Sequence, residues 1–266
     1  MKVAAFLLIV SSSANLALAQ DTEKFLIPIF LRGAVPGAHE SSWVSEMQML
    51  NTGNSAATIE NYGGLCPFDP CPPKSLPPGV SIPVTSIRDM SGSDPNPGAL
   101  LFIKPEYAGQ FAFQLRVRDM SRSEESWGTS LPVVHENDTR KVQHLLNVPL
   151  VPRFRLMLRV YSIPENPSVR VPERVSVRIY GSTEATFPYP DTPDPLLAEF
   201  DLLLTGGEAS SQPTYGEMPG LSAIPGLAGW DLVRLELVST ERPVWAMVSV
   251  TNNETQEVTI IVPNHL

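Results

Sequence analysis

The sequence predicts an all-β protein built as two antiparallel β-sandwich, immunoglobulin-like domains with long Pro/Gly-rich loops, and three observations lead there. Proline supplies 27 of 266 residues, roughly twice ordinary usage, and it disfavours helices because it lacks an N–H donor and clashes within the helical turn. Apolar and polar residues alternate along many segments, which is the period of a half-buried strand. These segments are short and divided by clusters of Pro, Gly, Ser and Asn, the chemistry of turns between antiparallel strands. A hydrophobic content of 42% is enough to build a core.

In chain order, the first element is an address. Lys2 precedes an apolar run over residues 3–10, and Ala17, Leu18 and Ala19 form the small-x-small pattern read by signal peptidase, so residues 1–19 are expected to be a signal peptide cleaved after Ala19. That run is too short to span a bilayer and no later stretch is longer, so a secreted chain with no membrane span is expected. Strands follow at residues 25–32, 42–50, 80–85 and 99–104. The second of these also contains helix formers, with Trp43, Met47 and Leu50 on one helical face, but is read as a strand.

Residues 111–118 alternate strictly, with Phe111, Phe113, Leu115 and Val117 on one face and Gln114, Arg116 and Arg118 on the other. The polar stretch DMSRSEES at residues 119–126 then reads as a linker, dividing the mature chain into an N-terminal sandwich, 20–122, and a C-terminal one, 123–266. Within 138–148, Val142, Leu145 and Leu146 share a helical face, so a helical turn is allowed for near Val142. Strands resume at 153–161, where Phe154, Leu156, Leu158 and Val160 point inward, and at 174–180, where Val175, Val177 and Ile179 do. A proline-rich loop at 186–195 leads to a strand at 196–204. Residues 206–229, rich in Gly, Ser and Pro, read as a long unstructured loop. Strands at 232–238, 244–250 and 258–262 complete the chain.

Cys66 and Cys71, the only cysteines, sit in CPFDPC. In an oxidising compartment a local disulfide is the favoured reading, pinning a proline-rich turn. A redox pair wants Cys-x-x-Cys at a helix start, and zinc wants more ligands than two thiolates. The chain has none of the short motifs of zinc proteases, serine hydrolases, phosphate loops or EF-hands. No catalytic residue and no resident metal is therefore assigned. Asp89 with Asp94, or Asp191 with Asp194, could offer oxygen ligands to calcium, although acidic residues in such loops are more often solvated turns.

Charge is the more informative property. The formal net charge of -9 argues against a nucleic-acid partner, which needs a basic footprint. It conceals an asymmetry: residues 111–180 hold 11 basic and 7 acidic residues, whereas 181–266 hold 2 and 12. Strand alternation turns Arg116, Arg118, Arg153, Arg155, Arg159, Arg174 and Arg178 outward. Two roles compete for them: cross-strand pairing with carboxylates such as Glu199, Asp201 and Glu236, or an anion-binding face for acidic polysaccharide or envelope polymer. Among the aromatic residues, Tyr215 and Trp230 read as the more exposed pair, where a sugar ring could stack, although core or loop-anchor roles are the favoured reading.

The stretches VPGAHESSWVSE (35–46), NTG (51–53) and VWAMVSVTNNETQ (244–256) resemble segments of uncharacterised secreted bacterial β-sandwich proteins. That resemblance implies an exported, immunoglobulin-like protein and carries no catalytic residues with it. The expected function is non-catalytic binding or adhesion at the cell envelope or outside it, with a glycan, an envelope polymer or a protein as partner. A hydrolase whose Asp and Glu residues are assembled by the fold, and a structural or assembly subunit, are the alternatives.

Overall fold

The computed structural model describes residues 22–31, 34–61, 73–85, 98–122, 124, 127–165, 171–182, 193–206 and 212–263. The expected signal peptide, both cysteines, Asp89, Asp94, Asp191 and most of the 186–195 loop lie outside these residues. Of the described residues, 59% are in strands and 7% in helices, and every sheet is antiparallel. None of their helices is long and apolar enough to cross a membrane.

The strands in the first half are β1 (Glu23–Pro28), β2 (Val35–Pro36), β3 (Ser42–Asn51), β4 (Ala57–Asn61), β5 (Lys74–Leu76), β6 (Ser81–Thr85), β7 (Gly98–Ile103), β8 (Phe111–Asp119), β9 (Thr129–Leu131) and β10 (Val134–His135), with one short helix, α1 (Pro105–Ala108). The remainder are β11 (Val142–Pro149), β12 (Phe154–Ser162), β13 (Glu173–Gly181), β14 (Leu196–Gly206), β15 (Thr214–Pro219), β16 (Leu232–Ser239), β17 (Val244–Asn252) and β18 (Val258–Ile261). One sheet runs β10-β1-β7-β4-β5. A second runs β2-β3-β8-β9, with β6 also paired to β3. The third has eight strands in the order β11-β16-β13-β14-β15-β12-β17-β18. β9 and β10 both follow the polar stretch at 119–126, yet they pair back onto β8 and β1.

Two hydrophobic clusters hold these sheets together. The first gathers Phe25, Leu26 and Ile27 of β1, Met47 and Met49 of β3, Leu115 of β8 and the run Ala99–Ile103 of β7. β7 reads GALLFI and is buried along its whole length, as an uninterrupted apolar strand between two covered faces must be. The second cluster takes Leu156, Leu158 and Val160 of β12, Val175, Val177 and Ile179 of β13, Leu235 and Leu237 of β16, and Val244, Ala246, Val248 and Val250 of β17. These are the inward positions set by period two.

β12 and β17 are buried on both sides at one end. Tyr161, Trp245 and Met247 point away from the second cluster and belong to the first. Tyr161 and Trp245 are cross-strand partners with ring centroids 6.0 Å apart. Burial pushes the Tyr161 hydroxyl up to about 12. Because folding raises this value, the stabilisation is complete below pH 10 and is lost as pH rises through about 12. In ultraviolet titration, the Tyr161→Phe variant is expected to lack one late phenolate transition of the native protein; an unchanged titration curve would contradict that burial.

Two expectations need correction. The helical turn near Val142 is absent: β11 runs from Val142 to Pro149 and pairs with β16. Its register shifts between Leu145 and Val148, where Asn147 adopts φ 55°. This bulge interrupts the two-residue alternation and leaves an apolar spacing that mimics a helix. A 3-10 turn does form nearby, at Glu136–Asp138. Nor is 206–229 an unstructured loop, since it contains β15 and a 3-10 turn at Leu221–Ala223. β15 carries Gly216 and Pro219, two residue types depleted from strands. A Cβ at position 216 would lie 2.7 Å from the Leu203 carbonyl oxygen, so the glycine permits close approach of the neighbouring strand.

Candidate functional site

The seven outward arginines do not share one surface. Arg116 and Arg118 lie on β8, Arg155 and Arg159 on β12, and Arg174 and Arg178 on β13, while Arg153 immediately precedes β12. The inward residues of β12 and β13 meet in the same cluster, so their outward faces diverge. Arg159 pairs with Glu217 at 3.2 Å, Arg174 with Asp201 at 3.8 Å, and Arg178 with Glu199 at 2.8 Å and Glu236 at 3.2 Å. Arg155 donates to Gln256 Oε1 at 2.8 Å, and the Arg153 guanidinium lies 4.8 Å from the Phe154 ring centre. Donating to the carboxylates of Glu199 and then Glu236 raises the already high pKa of Arg178, and accepting from Arg178 lowers that of Glu199.

Thus carboxylates of the acidic last third neutralise Arg159, Arg174 and Arg178 from neighbouring strands, whereas Arg153 and Arg155 contact no carboxylate among the described residues. Arg178 stands opposite both Glu199 and Glu236 in register. Exposed pairs of this kind contribute little to stability, but they consume the positive charge that an anion-binding face would need. Asp194 is similarly engaged, 3.3 Å from Arg234. Among the described residues, no group of three or more His, Cys, Asp or Glu side chains is arranged to hold a metal ion. Tyr215 and Trp230 are both half-buried and pack against different clusters. The Trp230 ring lies over Gly181, where a Cβ would meet it at 2.4 Å. The two rings therefore do not form a joint platform.

The β8 arginines differ from the rest. Arg116 and Arg118 share a single carboxylate, Glu46 on β3, which contacts both guanidinium groups. Beyond them stands Trp127, 72% exposed, with the Arg116 guanidinium 3.9 Å and that of Arg118 5.3 Å from its ring centre. Among the described residues, two cations paired with one carboxylate leave an excess of one positive charge behind an exposed aromatic ring, a favourable cation–π arrangement. Gly128 sets this geometry. It has φ +89°, and a Cβ there would lie 2.5 Å from the Val117 carbonyl oxygen, so only glycine lets the chain cross β8 closely enough to lay the indole over the arginines.

The next residue, Thr129, enters a cleft of about 260 Å³ that is also lined by Trp43, Asp119, Arg122, Gln256 and Glu257. One wall comes from β3, β8 and β9 and the other from the turn between β17 and β18. Arg122 Nη1 donates to the Thr255 carbonyl at 2.6 Å and Thr129 Oγ1 to the Val258 carbonyl at 2.5 Å, tying the walls together. Asp119 ends β8. Its Oδ1 accepts from the Ser42 N–H at 2.8 Å, the Ser121 N–H at 3.0 Å and the Ser121 hydroxyl at 2.7 Å. Burial alone would raise the pKa of this carboxyl, but these hydrogen bonds and the charge of Arg122 together hold it below the ordinary value, so it is a carboxylate at neutral pH.

None of the nine ligand-binding residues expected from the sequence lines this cleft, although Arg116 and Arg118 do form the neighbouring Trp127 face. Asp119 and Arg122 fall in the stretch that reads as a linker. The only local signal there is an aspartate two residues before a serine, the spacing of an Asx turn. Comparison of the chain with protein-family models, curated proteins and solved structures yields no match.

Proposed function

We propose that this is a secreted, non-catalytic binding protein of two immunoglobulin-like β-sandwich domains, and that it recognises a glycan or another anionic polymer through the Trp127 face of β8. Two separate hydrophobic clusters support the two-sandwich reading. The binding reading rests on one observation: an indole that is 72% exposed, backed by two arginines sharing one carboxylate. Burying such a ring inside the molecule would have been favourable, and an exposed aromatic ring held by guanidinium groups offers a flat apolar face to a sugar ring. The surplus positive charge beneath it attracts carboxylate or sulfate groups along a polymer. Arg159, Arg174 and Arg178, each paired with at least one carboxylate of its own, lack such a surplus.

The test is retention on immobilised heparin and polygalacturonate at physiological salt. Trp127→Ala is expected to weaken binding about tenfold, the scale of an exposed cation–π and stacking contact. Its unfolding midpoint should stay close to the parent value, because the ring contributes little to the core. Failure of the unaltered protein to bind either polymer, or equal retention of the variant, would defeat the proposal.

A further inference from the structure

We propose that the second sandwich carries a latch, the contact of Arg140 with Val244, which opens while the rest of the protein stays folded and lets water reach a layer of buried polar side chains behind it. The eight-stranded sheet curls on itself, so that the inward residues of β12 and β17 meet those of β13 and β16 in one cluster. At one end its two halves are joined along one edge by the pairs Thr205–Tyr215 and Gly206–Thr214 of β14 and β15. Along the other edge, among the described residues, the chain just before β11 meets the start of β17 in an isolated bridge. There the Arg140 N–H donates to the Val244 carbonyl at 3.0 Å and the Val244 N–H to the Arg140 carbonyl at 2.8 Å. β18 pairs with β17 only from Val248 onward, so its ladder does not reach the bridge.

The layer behind the latch is polar where the rest of this core is apolar. Two-residue alternation places Gln143 of β11 inward with Leu145, Ser162 of β12 with Val160, Glu173 of β13 with Val175 and Ser239 of β16 with Leu237. Thr214 of β15 and Val244 itself stand opposite Ser162 on either side. Each of the five polar side chains is at most 4% exposed. Glu173 Oε1 accepts from the Ser239 hydroxyl at 2.5 Å and from the Arg242 N–H at 3.2 Å. Among the described residues, Glu173 Oε2, Ser162 Oγ, Thr214 Oγ1 and both amide atoms of Gln143 have no hydrogen-bond partner.

These five atoms set the balance. A polar atom buried without a partner costs the closed state its desolvation, which exceeds the net contribution of an ordinary backbone hydrogen bond, and low-dielectric surroundings increase that cost. Breaking the bridge gives up two backbone hydrogen bonds, both replaced by water, and hydrates the orphaned atoms. The far end of the same interior is filled by Val148, Leu156, Ile179 and Val233, whose exposure would be unfavourable. Opening is therefore confined to the latch end, a local event below the global unfolding free energy.

The test is amide hydrogen exchange of the full chain, followed by NMR. The Arg140 and Val244 amides are expected to exchange at least about tenfold faster than those of Leu158 and Val177, which lie in the middle of β12 and β13 and await global unfolding. Gln143→Met keeps the length of the side chain and removes two orphaned atoms, so it is expected to slow exchange at Arg140 and Val244 about tenfold. Thr214→Val removes one orphaned atom and serves as the second variant if the first does not fold. Simple fraying of strand ends also gives fast exchange, but neither substitution would alter it. Protection of Arg140 and Val244 equal to that of Leu158 and Val177, unaltered exchange in a folded variant, or failure of both variants to fold would overturn the latch.

Discussion

Replacing Trp245 with alanine is expected to destabilise the protein by about 3–5 kcal/mol, the range for deleting a large buried aromatic side chain. Trp245 is 1% exposed. It belongs by strand to the eight-stranded sheet and by packing to the first cluster, beside Phe30, Tyr161 and Met247. Its neighbours Val244 and Ala246 face the second cluster. The cavity would therefore open in one core while β17, which organises the other, loses the contact that holds it in place. Urea unfolding followed by far-ultraviolet circular dichroism should show the midpoint drop. A change below about 1 kcal/mol, typical of surface substitutions, would mean that the ring is not packed between the two sets of strands.

Asn51→Ala is expected to cost about 2–4 kcal/mol through a different mechanism, the orphaning of buried polar groups. Asn51 is fully buried at the end of β3. Its Nδ2 donates to the carbonyls of Ser55 and Leu76 at 2.8 Å each, and its Oδ1 accepts from the Gly53 N–H at 2.9 Å. One side chain thereby connects β3 to the turn before β4 and to β5. Asn51→Asp should be at least as damaging, because a carboxylate would face two carbonyl oxygens. Thermal unfolding distinguishes these outcomes, and near-native stability in either variant would contradict the assigned network.

The legible elements were those whose two faces differ in polarity. β8, β12 and β13 could be located from alternation, with inward residues correctly read, because period two survives wherever one face is buried and the other wet. The strand at 42–50 could be chosen over a helix, and β3 indeed spans Ser42–Asn51. β11 was obscured by its bulge and β15 by Gly216 and Pro219, each a departure from propensity imposed by neighbouring strands. The outward positions of the arginines were readable, and so was the availability of carboxylate partners. Which carboxylate meets which arginine was not, because Glu46 reaches Arg116 and Glu217 reaches Arg159 only through the order of strands in their sheets.

Composition, periodicity and turn chemistry were sufficient for an all-β antiparallel class, since all three are properties written residue by residue. The remaining features are non-local. Burial of Tyr161 and Trp245 on the far side of their strands requires a second set of strands to cover them. The cleft requires Asp119, at the end of β8, to face a turn near the end of the chain. The exposure of Trp127 depends on what fails to cover it, which no spacing rule records. Proline content and alternating segments thus describe how each strand presents its faces, while the packing of sheets decides which faces meet, and the candidate binding face arises where that packing leaves an aromatic ring exposed.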